Sequence, residues 1–248
     1  MGIDFLLGTR CQYITFLDSD DFLHPSVLSM MIEVANNASN KSIVACYVKP
    51  VYGSELPEYY SNDVIQEYEV EDFYCKRTID CIHLFGKLYP INDFDLIRLP
   101  KGVRFAEDTL TTYRIVFNHD NVVYINKPLY GYYQSNESLV RSAWIPAKYN
   151  AVIGFEQQLD FFIKKGLYEA VDVCKRHYFH TVVLNISEAK AAGFEYLYMI
   201  HNLRKTINTH KKYFTVSDKI KIYTKIISIV TGLYPFIVSM NNCLRQHI

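Results

Sequence analysis

Hydrophobic and polar positions change rhythm near residue 147. Ahead of that point, short apolar runs alternate with segments of helical period, the pattern of strands interleaved with helices. Residues 4–8 read as the last turn of a helix, with Gly8 suited to its C-terminal cap. Residues 13–17 form a short run of strand formers, of the kind that lies in a parallel sheet covered on both faces, and carboxylates follow at its end. His24-Pro25-Ser26 predicts a helix start, because proline tolerates the first turn; Val27, Leu28, Met31, Val34 and Ala35 then recur at helical spacing. Residues 43–48 read as the next strand, followed by an irregular stretch to about residue 62 and a helical segment over roughly 64–84. Leu110, Tyr113, Arg114 and Phe117 share a helix face over 109–117, with Asp108 placed as its cap. Residues 121–125 and 129–133 read as two short strands joined by Asn126-Lys127-Pro128.

From Ala147 the chain turns helical, over 155–165, 169–192 and 197–207, with a last segment at 219–240. These patterns predict an α/β domain over 1–146 and a helical region over 147–248. Gly232 and Pro235 interrupt the apolar run of the last segment, which is too short for a membrane span and fits either an interfacial or a core-packing helix.

Composition narrows the classes. Half of the 248 residues are hydrophobic, enough to bury one substantial core or two small ones. Lys plus Arg equals Asp plus Glu at 26 each, so no global field draws the chain onto nucleic acid or an anionic membrane. Six cysteines without a Cys-x-x-Cys pair, and a start without the features of a secretory signal, predict reduced thiols and a cytoplasmic protein. The Asn-x-Ser matches at Asn37, Asn40, Asn136 and Asn185 then carry no weight. The 21 tyrosines read first as half-buried packing and only then as a sugar-lining surface.

Chemistry concentrates at Asp18-Ser19-Asp20-Asp21. Aspartates released at the end of a buried strand stand where open α/β sheets bind ligands, and two of them spaced one apart offer hard oxygens to Mg²⁺ or Mn²⁺. Alone, the motif reads equally well as a solvated turn or a helix N-cap. Glu107-Asp108 alone reads as a helix N-terminus, where acids are favoured by the dipole. His177 and His180 sit three apart on a helix without a fixed third ligand, and read as surface or packing residues.

The segment Tyr13-Ile14-Thr15-Phe16-Leu17-Asp18-Ser19-Asp20-Asp21-Phe22-Leu23 resembles the metal-binding Asp-x-Asp segment of family 2 glycosyltransferases. Downstream, His83-Leu84-Phe85-Gly86-Lys87-Leu88-Tyr89 is similar to that family's Lys-Leu-Tyr segment, with Gly86 where an asparagine is usual. The stretch from Leu99 to Asp108 resembles the one containing its Glu-Asp pair, and residues 126–134 resemble the strand pair that follows. The resemblance runs from Gly2 to about Arg141, and residues 134–144 do not reproduce the Gln-x-x-Arg-Trp motif of processive synthases.

The resemblance implies an A-type, nucleotide-diphospho-sugar transferase sheet with helices on both faces. Its implied activity is transfer of a sugar, with inversion, from a nucleotide-sugar donor to a saccharide or lipid-linked acceptor in surface polysaccharide synthesis. Asp18 and Asp20 would hold Mg²⁺ or Mn²⁺ on the donor diphosphate, with Asp21 beside them, and Asp108 would be the general base. The implied setting is the cytoplasm, at the inner face of the membrane, with peripheral contact through the C-terminal segment. That family's first nucleotide-binding strands have no counterpart here, which implies an N-terminally truncated domain. An inactive remnant or interaction subunit is the competing expectation. A haloacid dehalogenase-type phosphohydrolase is a further one, although Asp21-Phe22 stands where such enzymes carry Gly-Thr.

Overall fold

The computed structural model describes residues 2–52, 65–134 and 142–233. The chain divides into two compact units, Met1–Ser142 and Ala143–Ile248.

Among the described residues of the first unit, six strands build one mixed sheet. They are β1 (Tyr13–Ile14), β2 (Phe22–Leu23), β3 (Ser42–Val51), β4 (Ile65–Glu69), β5 (Lys87–Pro90) and β6 (Asn121–Tyr133). The order is β1-β5-β3-β6-β2, with β4 also paired to β6. β3 runs parallel to β6 along its whole length. β4 and β2 therefore share the other edge of β6, β4 at residues 121–125 and β2 at Tyr130 and Gly131, both antiparallel. Helices cover both faces. On one, α2 (Val27–Asn37) sets Val27 and Met31 against Val44, Cys46, Ile125, Leu129 and Tyr130. On the other, α3 (Val70–Lys76) brings Phe73 to within 5.8 Å of the Tyr124 ring. Each such buried aromatic contributes about 1.5–3 kcal/mol through area removed from water.

Several elements depart from the sequence reading. The run at 13–17 is not a strand inside a parallel sheet: only Tyr13 and Ile14 pair, antiparallel to β5. Among its residues only Ile14 is buried and Leu17 is exposed, so the segment lacks cover on both faces. The helix expected over 64–84 is instead β4, α3 and α4 (Thr78–Ile82). Residues 65–69 alternate between exposed and half-buried, the period of a strand, and Arg77 (φ −136°, ψ 48°) breaks the two short helices apart. The helix carrying Asp108, α5 (Glu107–Val116), begins earlier than expected, with Ala106 as its cap and Asp108 in its first turn.

The two strands expected over 121–133 are one strand. Both halves pair with β3 in the same direction, so Asn126-Lys127-Pro128 is a bulge and not a reversing turn. Near the N-terminus, α1 (Gly2–Leu7) ends without a left-handed Gly8; the Thr9 hydroxyl donates to the Leu6 carbonyl instead (2.7 Å). The end of the irregular stretch near residue 62, and Asn136, lie outside the described residues.

The second unit packs α6 (Asn150–Lys165) and α7 (Tyr168–Ala191) across a short connection where Gly166 takes φ +74°. α8 (Leu197–Thr209) and α9 (Val216–Val230) complete it. The indole N–H of buried Trp144 donates to Asn185 Oδ1 (2.9 Å). Lys175 Nζ joins α7 to Asp218 of α9 (3.1 Å) and donates to the Tyr213 carbonyl. His177 stacks on Phe155, ring centroids 5.5 Å apart, which makes it packing rather than a ligand. Thr215 and Asp218 form a reciprocal capping box that starts α9 ahead of the predicted residue 219. Ile222, Ile226 and Ile229 of α9 are buried, while Val216, Ile220 and Ile227 are exposed. Among the described residues no helix is long and apolar enough to cross a membrane, and 234–240 lie outside them.

Candidate functional site

Between β1 and β2 the chain turns through Asp18-Ser19-Asp20-Asp21, closed by the Asp21 N–H donating to the Asp18 carbonyl (3.1 Å). The turn is anchored from β6. The Tyr130 hydroxyl donates to Asp21 Oδ2 (2.6 Å), the Tyr133 N–H donates to Asp21 Oδ1 (2.8 Å), and the Asp18 N–H donates to the Tyr130 hydroxyl oxygen (3.2 Å). Tyr130 is 1% exposed and its ring stacks on Phe85 at 4.7 Å.

The three aspartates thus divide by partner. Both oxygens of Asp21 are taken by the protein. Among the described residues the carboxylates of Asp18 and Asp20 accept no hydrogen bond, and both side chains reach solvent. Partial burial, then the charges of Asp21, Asp20, Asp108 and Glu107, push the Asp18 carboxyl up to about 6. The acids at the head of α5 therefore lie within electrostatic reach of the turn.

Asp108 is held differently. Its Oδ1 accepts from the Thr109 N–H (2.6 Å) and the Thr109 hydroxyl (3.3 Å), while Oδ2 accepts nothing among the described residues. Burial raises its pKa above the ordinary carboxylate value, Glu107 adds to the rise, and the Thr109 N–H and Lys87 oppose it. Lys87 is itself fully enclosed; its ammonium donates to the His83 carbonyl, and burial lowers its pKa. The residue before the acids, Ala106, holds φ +59° and ψ +30°, a left-handed conformation that costs an alanine about 1–2 kcal/mol and aims the first turn of α5.

Gly86 takes φ +69°, and a Cβ there would stand 2.7 Å from Val48 Cγ2. The left-handed backbone accounts for glycine at this position. Gly131 lies under the Phe22 ring, 2.6 Å from where a Cβ would be, which lets β2 close on β6 directly beside the aspartate turn. An open cavity of about 580 Å³, lined by Met30, Val34, Ile65 and Val123, contains none of these acids.

No family model matches the chain. A curated relative, Glycosyltransferase GlyA of Streptococcus pneumoniae serotype 4, is 28% identical over 157 residues, covering 57% of this chain and 22% of its own length. Among solved structures, S. aureus TarS residues 1–349 in complex with UDP-GlcNAc superposes with a TM-score of 0.55 at 13% identity, over 74% of this chain and 59% of that one. The fold is that of a glycosyltransferase. This chain spans about a fifth of the curated relative's length and somewhat more than half of the TarS chain.

Within that glycosyltransferase fold the donor set can be tested against a divalent cation. Among the described residues no three His, Cys, Asp or Glu side chains converge into a cage. Two unpartnered carboxylates in a crowd of negative charge nevertheless suit Mg²⁺ or Mn²⁺, which bind through one or two carboxylates and fill their shells with water and phosphate oxygens. The sequence named Asp18, Asp20, Asp21 and Asp108 as candidates; Lys87 and Tyr130 fell in segments that carried a resemblance but no assigned role. Tyr130 carries no motif of its own; its place behind the turn follows only from the pairing of β2 with β6.

Proposed function

We propose that this chain carries the acid-bearing part of a glycosyltransferase active site. The reaction is transfer of a sugar from a nucleotide-sugar donor to a hydroxyl acceptor, with inversion at the anomeric carbon. The observation that supports it is the pair Asp18 and Asp20, two carboxylates that accept no hydrogen bond among the described residues, with Asp18 in the electrostatic field of Asp108.

Asp18 and Asp20 hold the divalent cation, and Asp21 serves the turn rather than the metal because both its oxygens are engaged. The cation supplies Lewis-acid stabilisation of the charge that gathers on the departing diphosphate. Asp108 Oδ2 receives the proton of the acceptor hydroxyl as that oxygen attacks the anomeric carbon. Its raised pKa suits this work, since a stronger base takes the proton more readily. Lys87, buried nearby, opposes that rise. The wider setting belongs to the same proposal: surface polysaccharide synthesis at the cytoplasmic face of the membrane. Exposed Val216, Ile220 and Ile227 of α9 support peripheral membrane contact.

Titration of the purified chain with a panel of nucleoside-diphosphate sugars, UDP-GlcNAc among them, tests the reading. Binding should require Mn²⁺ or Mg²⁺ and be lost on joint Asp18→Asn and Asp20→Asn substitution. Binding that is indifferent to the metal, or to both substitutions, would falsify the assignment.

A further inference from the structure

We propose that Tyr130 is a positioning residue that sets the affinity of the aspartate turn for its divalent cation; this rests on the metal-binding role given above to Asp18 and Asp20. The hydroxyl of Tyr130 is a two-way link. It donates to Asp21 Oδ2 (2.6 Å) and accepts from the backbone N–H of Asp18 (3.2 Å), so one buried oxygen ties together the two ends of the turn. The Tyr133 N–H holds the second Asp21 oxygen (2.8 Å), which fixes that carboxylate's orientation. Stacking on Phe85 at 4.7 Å and pairing of the Tyr130 backbone with Leu23 immobilise the residue that makes the link. The carboxylates of Asp18 and Asp20 accept no hydrogen bond among the described residues, so their placement comes from the backbone of the turn, and Tyr130 holds that backbone. Groups that orient metal ligands in this way change metal affinity by about 10–100-fold when removed.

The test uses Tyr130→Phe, which deletes the hydroxyl and keeps the ring. Tyr124→Phe is the control: it is a buried tyrosine of the same strand whose hydroxyl meets Arg77 and Asp80 and not the turn. Mn²⁺ alone is the probe, with its free concentration read by electron paramagnetic resonance at a temperature where thermal melts show all variants folded. Tyr130→Phe should weaken Mn²⁺ binding about tenfold and Tyr124→Phe should leave it unchanged at a comparable loss of Tm. Asp21→Ala provides a second arm: its effect and that of Tyr130→Phe should be non-additive, because both cut the same link. Wild-type Mn²⁺ affinity in Tyr130→Phe, or equal losses in both tyrosine variants, overturns the positioning role. Failure of the wild-type chain to bind Mn²⁺ overturns the metal site itself and the role with it.

Discussion

Asparagine in place of Asp18 should stabilise the metal-free fold, because the native carboxylate sits among charges of its own sign. Burial and the neighbouring acids push this carboxyl from 3.8 up to about 6. In a dry site that difference is equivalent to about 3 kcal/mol. The side chain keeps contact with water, and screening reduces the figure to about 1 kcal/mol, or about 2–4 °C in Tm for a chain of this size. The folded state holds this proton more tightly than the unfolded chain does. Protonated Asp18 therefore favours folding below about pH 4, and that contribution is lost as pH rises through about 6. Asparagine never ionises, so the variant should match wild type at about pH 4 and exceed it at about pH 7.5. Thermal melts of both proteins in chelator at the two pH values measure the difference. An equal gain at both would trace the effect to packing, and a loss at about pH 7.5 would refute the electrostatic account.

Other outcomes follow from particular contacts. Asp108→Asn should lower transferase turnover by about 10²–10⁴-fold while Mn²⁺ affinity stays near wild type, which separates base from ligand; a parallel loss of metal binding would count against that division. Gly86→Ala should cost about 3 kcal/mol in urea unfolding, from the left-handed φ and the 2.7 Å approach to Val48 Cγ2, and Val48→Ala in the same chain should recover part of it. Ala106→Gly should raise stability by about 0.5–1 kcal/mol, the left-handed penalty removed less the entropy of glycine in the unfolded chain; destabilisation would show that Ala106 is not strained.

The aspartate turn was legible because its chemistry is written in consecutive residues: a short apolar run, then carboxylates. Asp108 was legible as an acid at a helix start, although the structure moves the cap to Ala106, whose left-handed backbone no propensity announces. What the sequence hid was pairing. Residues 65–69 alternate over only five positions and run straight into α3, too short a stretch for a period of two to stand out against the helix that follows. The edge position of β1 depends on β5, which is more than 70 residues away in sequence. Tyr130 is one tyrosine among 21 and acquires its role only when β2 closes on Gly131.

The two register shifts across residues 126–129 govern the parity of β6. In an unbroken strand, residues an even number apart share a face, so Tyr124 and Tyr130 would point the same way. Here Tyr124 lies against Phe73 beneath α3, while Tyr130 joins Ile125 and Leu129 in the cluster under α2. Two extra residues at Asn126-Lys127 keep the alternation and a third, at Leu129, reverses it, and that reversal brings the Tyr130 hydroxyl to Asp21. A one-residue deletion there would keep both halves of β6 beside β3 and turn the wrong side of the strand toward the aspartates. The site therefore depends on a residue count in a segment that touches none of its acids.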